Sequence, residues 1–141
     1  MAYDDDNVFA RVLRGELPCV RVYEDEHTLA FMDIMPQAEG HTLVIPKAPA
    51  ADLLSLPEAY LGPLMATTQR VARAVKTALE PSGLLVAQLN GAAAGQSVFH
   101  LHFHVIPRNN GLELALHARE MAAPAALEAV AARIRAAIAA K

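Results

Sequence analysis

The stretch Ser97-Val98-Phe99-His100-Leu101-His102-Phe103-His104-Val105-Ile106-Pro107 decides how this chain is read. Its residues alternate strictly, the pattern of a β-strand, in which successive side chains point to opposite faces. His100, His102 and His104 then share one face at intervals of about 6.6 to 6.8 Å, while Phe99, Leu101, Phe103 and Val105 face the other way. Pro107 has no N–H to give a sheet ladder and ends the run. Each imidazole can gain a proton near neutral pH, so three in a row on a strand backed by core residues are costly, and the row reads as chemistry rather than packing.

The segments around it supply partners for such a strand. Val20–Tyr23 alternates, Glu24-Asp25-Glu26 makes a polar turn and Thr28–Ile34 is rich in strand formers, which predicts a hairpin. Pro36–Gly40 is a loop, and His41–Ile45 is a β-branched run ended by Pro46, a third strand. Gly83–Asn90, holding Leu84-Leu85-Val86-Ala87, is a fourth, and the small-residue loop Gly91–Gly95 leads on to the fifth.

Three helices complete the pattern. Asn7 is placed to cap a short one running to Leu13, stopped by Gly15 and followed by the turn Glu16-Leu17-Pro18. Ser55-Leu56-Pro57-Glu58 matches a capping box for a long helix carrying Leu61, Leu64, Met65, Thr68, Val71, Ala72, Val75 and Leu79, ended by Pro81-Ser82-Gly83. Pro63 requires that helix either to kink or to begin there. Pro124 starts a last helix with Leu127, Val130, Ile134 and Ile138 on one face. Strand-rich segments interrupted by one long helix argue for an α+β domain whose five-stranded sheet is mainly antiparallel.

At 141 residues the chain is read as one domain, 1–141, with a motif-bearing core over 7–108 and a tail and helix over 109–141. Apolar residues make up 54%, but charges and histidines break every run before the roughly 20 residues needed to cross a bilayer. The acidic opening lacks the basic start of a secretory signal, so a cytoplasmic location is expected. Cys19 is the single cysteine, which leaves no disulfide framework and suggests a buried structural thiol. With a net charge of −3 and scattered Lys and Arg, the basic footprint of a nucleic-acid binder is missing, and a small ligand is the better expectation.

Two chemistries fit the histidine row. A metal centre could use two of its ring nitrogens, with His41 or Asp33 brought in by the fold as a further ligand. Alternatively, a neutral imidazole is an adequate nucleophile when its second nitrogen donates to an acceptor that fixes the tautomer.

The run Gly95-Gln96-Ser97-Val98-Phe99-His100-Leu101-His102-Phe103-His104-Val105-Ile106-Pro107 resembles the signature of the histidine triad family, His-φ-His-φ-His-φ-φ with φ apolar. The likeness continues through Phe31-Met32-Asp33-Ile34-Met35-Pro36-Gln37 and Gly40-His41-Thr42-Leu43-Val44-Ile45-Pro46-Lys47, and is greatest to the Hint-like nucleoside phosphoramidases. This resemblance implies a homodimer that hydrolyses or transfers nucleoside monophosphate groups, with His102 as the nucleophile that forms a covalent nucleotidyl-imidazole. It implies that His104, Ser97 and Asn90 give hydrogen bonds to phosphate or leaving group, Ser97 being the leaving-group contact, with Gln96 also on the nucleotide. His100 and His41 belong by the same resemblance to the supporting network. Asp33-Ile34 matches the ribose contact, and Phe9, Val12, Leu17, Phe31 and Leu43 match apolar positions of the base cleft, each of which would serve equally as core.

Departures from the family bear on these expectations. Some bacterial members carry Cys-x-x-Cys on the first helix as part of a zinc site, whereas Asn7 and Ala10 stand in that register here, so neither zinc nor any cofactor is expected. The loop Gly91-Ala92-Ala93-Ala94-Gly95 lacks the polar residues common in relatives. The expected substrate is a purine nucleoside phosphoramidate or related adenylate. Dinucleoside polyphosphate hydrolysis, or a nucleotide-binding dimer with vestigial activity that contacts other proteins, stands as the alternative, with no nucleic acid or membrane as partner.

Overall fold

A computed structural model describes residues 2–109 and 120–140 of the chain. Helix α1, Val8–Leu13, begins where the Asn7 side chain accepts the Ala10 N–H at 2.9 Å, and the chain leaves it through Gly15 at φ +79°, a conformation open to glycine. Strands β1, Arg21–Glu24, and β2, Thr28–Met32, form the expected hairpin. Asp25 holds its turn by accepting from the backbone N–H groups of His27 and Thr28 and from the Thr28 hydroxyl. Then come β3, Thr42–Pro46, helix α2, Leu61–Leu79, strands β4, Gly83–Gln88, and β5, Phe103–Arg108, and helix α3, Pro124–Ala139. The sheet order is β1-β2-β3-β5-β4 with every pair antiparallel, the α+β architecture expected from the sequence.

Strands β2 and β3 are buried along their whole length because both faces of the sheet are covered. On one face Ala30, Met32, Val44 and Val105 pack with Leu64, Val71 and Val75 of α2 and Leu127, Ala131 and Ile134 of α3. On the other, Leu29, Phe31, Leu43 and Ile45 pack with Phe9 and Val12 of α1. Since Leu43 pairs with His104 across β3 and β5, the histidines belong to this second face, beside α1.

Several boundaries differ from the expected ones. The capping box is real but one turn early: Asp52 accepts the Ser55 N–H and Ser55 answers it, around a 3₁₀ turn at Leu53–Ser55. A second such turn, Glu58–Tyr60, precedes α2, so Pro63 lies in the helix's first turn, where an N–H would have had no helical acceptor. The helix starts at that proline's turn rather than kinking. It ends at Glu80, whose φ of +49° is left-handed and whose N–H reaches the Lys76 carbonyl.

The largest correction concerns the histidine strand, expected over Ser97–Pro107. Strand β5 begins only at Phe103, and residues 97–102 run outside the ladder. Extending the register that pairs Val44 with Phe103 would bring Pro46 opposite Leu101, and a proline has no N–H to pair. Leu101 instead donates to the Ala50 carbonyl, and the free Pro46 carbonyl is taken by His100. The predicted loop after Arg108 lies partly outside the described residues.

Candidate active site

His102 sits at the step from irregular chain to strand, 7% exposed. Its Nδ1 is 2.7 Å from the His100 carbonyl oxygen, which can only accept, so Nδ1 carries the proton and Nε2 keeps its lone pair. Burial lowers the basicity of His102, with the bond to the His100 carbonyl opposing that shift, which leaves a neutral imidazole with one free nitrogen. Phe9 meets its ring edge-on at a centroid distance of 4.9 Å, and the His104 ring lies at the same distance.

The same logic assigns the other imidazoles. His100, 1% exposed, has Nε2 at 2.9 Å from the Pro46 carbonyl, so Nε2 donates and Nδ1 accepts, here from the Tyr3 hydroxyl at 2.6 Å. His41 accepts the Gln37 backbone N–H on Nδ1 at 3.0 Å, so its proton is on Nε2. That nitrogen is 3.0 Å from His104 Nδ1 and 3.4 Å from an Asp33 carboxylate oxygen. His104 therefore accepts on Nδ1 and turns a donating Nε2–H outward. Burial, with neighbouring imidazoles adding to it, holds His41 down to about 3 and His104 to about 4, and burial brings His100 to about 4 against the pull of the Pro46 carbonyl. All four rings are thus neutral at physiological pH, and two of them differ in what they offer: His102 an electron pair, His104 an N–H.

Among the described residues, Asp33, His41 and His104 present ligand atoms within 4.8 Å of one another, spacing that would suit a metal ion. The tautomer argues against one. To ligate through Nε2, neutral His41 would have to move its proton to Nδ1, where the Gln37 N–H already points, setting two donors face to face. The register of the family's cysteine pair offers nothing either, since Asn7 caps α1 and Ala10 is buried in it. These residues fit a hydrogen-bond relay better than a resident metal.

The remaining expected site residues separate by environment. Asp33 follows β2, half-buried, with one oxygen accepting the Met35 N–H and its acidity weakened by burial, while Ile34 beside it is 49% exposed. Phe9, Val12, Phe31 and Leu43 form one buried cluster with Leu17 packed against it, so a base could meet only its edge. Ser97 is exposed and opens on a cleft of about 350 Å³ shared with Asp4, Asp6, Asn7 and Phe99. Gln96 is 4% exposed and its amide is committed to backbone, donating to the Ala51 and Val98 carbonyls and accepting from the Gly91 N–H. Asn90 is exposed but braced, exchanging hydrogen bonds with Gln88 and accepting the Leu53 N–H. Cys19, expected to be buried, is only half-buried at the edge of the α1 cluster.

Three participants escaped the sequence reading. Tyr3 stands in an acidic opening with no periodicity to mark it, and the Gln37 N–H and Pro46 carbonyl are backbone groups that no residue identity announces.

A sheet of this topology, with four hydrogen-bonded, neutral imidazoles on the α1 face, has counterparts among known proteins. Residues 14–111 fit the HIT domain model, and the chain belongs to this histidine triad family. A HIT-like protein of Bartonella henselae, described as involved in cell-cycle regulation and crystallised with an unknown ligand, superposes with a TM-score of 0.90 at 50% identity, over 96% of this chain and 99% of that one. A zinc-bound histidine triad protein of Mycobacterium smegmatis superposes with a TM-score of 0.82 at 39% identity, over 96% and 94% of the two chains. The adenylylsulfatase HINT3 of Arabidopsis thaliana is 36% identical over 104 residues, 74% of this chain and 53% of that protein.

Proposed function

We propose that the protein is a nucleotidyl hydrolase or transferase of the Hint-like kind, cleaving purine nucleoside phosphoramidates or related adenylates through a covalent nucleotidyl-His102. One observation carries the reading: the His100 carbonyl keeps the proton on His102 Nδ1 and leaves Nε2 free to attack phosphorus. In the first step Nε2 bonds to the α-phosphorus, the bond to the leaving amine breaks, and the amine departs with a proton drawn from solvent through Ser97. In the second, water attacks the same phosphorus, His102 leaves as neutral imidazole and the water's proton passes to solvent. The His104 Nε2–H, supported from behind by His41, stabilises the charge on the phosphoryl oxygens during both. Asp33 takes the ribose hydroxyls, and the rim of the Phe9 cluster takes the base.

The relative named an adenylylsulfatase supports a mixed-anhydride adenylate as a further substrate. A homodimer is part of the same reading, supported by the edge of β4, which pairs with no further strand among the described residues, and by Val86 on it, 43% exposed. The test is His102→Ala, which should abolish covalent labelling by an adenosine phosphoramidate and remove turnover while AMP still binds. Retained turnover in that variant would refute the assignment, and a substrate panel adding a diadenosine polyphosphate and an acyl-adenylate, ranked by kcat/KM, separates this reading from dinucleoside polyphosphate hydrolysis.

A further inference from the structure

We infer that Tyr3, in the segment preceding the first helix, is a positioning residue for this reaction, acting through His100 on the nucleophile. The inference rests on the assignment of His102 as nucleophile. What keeps His102 in its productive tautomer is a backbone carbonyl, that of His100. In a β-strand such a carbonyl would be held in place by ladder hydrogen bonds, but residues 97–102 run outside the ladder. Their position depends on anchors of another kind: the Gln96 amide, the Leu101 N–H on the Ala50 carbonyl, and the His100 ring. That ring is held at both nitrogens, by the Pro46 carbonyl on Nε2 and by the Tyr3 hydroxyl on Nδ1.

Tyr3 is built into its place rather than lying there by accident. Asp4 folds the opening segment into a turn, its carbonyl accepting from the Asn7 N–H and side-chain amide and its carboxylate from the Asp6 N–H. Arg14 ties the Asp5 carbonyl to the end of α1. The Tyr3 ring meets His100 edge-on at 5.7 Å, and burial raises the phenol above its ordinary value, so the hydroxyl stays protonated and can only donate to the lone pair it faces. Among the described residues no other group hydrogen-bonds His100 Nδ1, so without that donor the ring is free to rotate off the Pro46 carbonyl or to take up a proton. Either change moves the carbonyl on which His102 depends.

Tyr3→Phe keeps the edge-on ring contact and removes only the hydroxyl, and Tyr3→Leu removes both. The expected result is that Tyr3→Phe lowers kcat roughly 5- to 30-fold, the span of one lost, partly buried hydrogen bond, with KM within about twofold of wild type. Tyr3→Leu should be no less impaired. The acid limb of the kcat profile should move toward neutral pH in Tyr3→Phe, because His100 protonates more readily once its Nδ1 partner is gone. Nitrogen-15 spectra of the histidine rings read the effect without any substrate: the His102 Nδ1–H signature of wild type should give way to mixed tautomers in Tyr3→Phe. Wild-type kcat in Tyr3→Phe beside a damaged Tyr3→Leu would show that only the ring matters and overturn the proposal. An unchanged His102 tautomer in Tyr3→Phe would also overturn it, even if wild type turns over no nucleotide, an outcome that would count separately against the assigned reaction.

Discussion

His41 offers the sharpest test of whether the buried imidazoles form a relay. It accepts from the Gln37 N–H and donates to His104 Nδ1, both at 3.0 Å. His41→Leu leaves both partners unsatisfied in a partly buried site, at about 1 to 3 kcal/mol each. In the proposed reaction only the bond to His104 bears on the transition state, since it fixes which nitrogen of His104 would face the phosphoryl group. One such loss predicts a fall in kcat/KM of about 5- to 150-fold. His41→Gln places a carboxamide there whose oxygen accepts from Gln37 and whose nitrogen donates to His104, so it should recover most of the rate. A metal centre at Asp33, His41 and His104 predicts the opposite, because a carboxamide replaces an imidazole ligand poorly and the wild-type rate would fall with chelator. Steady-state kinetics on an adenosine phosphoramidate, with and without chelator, decide between them. If His41→Gln is as slow as His41→Leu and chelation inactivates wild type, the tautomer argument is wrong.

Two further outcomes follow from the same network. Asp33 is expected to bind ribose, so wild type should prefer a ribonucleotide over its 2′-deoxy analogue by about 5- to 150-fold in kcat/KM, and Asp33→Ala should narrow that gap; an unchanged gap would mean that Asp33 serves only to hold Met35 and His41. Stability should fall in mild acid, because His100 and the His41–His104 pair resist protonation down to about 3 to 4 when folded but accept it near 6.5 when unfolded. The unfolded state then binds more protons, so this stability is complete above about pH 6.5 and is lost at about 4 kcal/mol per pH unit, for three protons, as the pH falls toward 4. Melting curves from about pH 7.5 to 5 check this, and a flat Tm would contradict the burial of these rings.

The fold was legible because its signals are local. The alternation in Val20–Tyr23, the β-branched run before Pro46 and the helical spacing from Leu61 to Leu79 each lie near an element that forms. The strand through His100 was overextended because alternation reports side-chain polarity and says nothing of the partner strand, where Pro46 breaks the ladder. Ser55-Leu56-Pro57-Glu58 misled for a related reason: a capping residue satisfies any short helical turn, and here it serves a 3₁₀ turn. Of the site, the side chains were visible and the geometry was not. Gln96 shows the limit, since an amide beside a histidine motif reads as a ligand contact until its three hydrogen bonds to the backbone are seen.

That limit has a physical root. His100, His102, His104 and His41 are the same residue, three of them buried, His104 half-buried, and all neutral, and nothing in the side chain decides which offers a lone pair and which a donor. The decision is made by which backbone group meets which ring nitrogen. A carbonyl on His102 Nδ1 leaves Nε2 its lone pair, as the proposed attack requires, while an N–H on His41 Nδ1 sends a proton toward His104 and so makes the other nitrogen of His104 a donor. Exchanging those two backbone partners would exchange the roles without altering a residue of the motif. The irregular chain before β5 therefore has a use that a longer strand would not serve, because it frees the Pro46 and His100 carbonyls from ladder pairing so that each can receive an imidazole N–H.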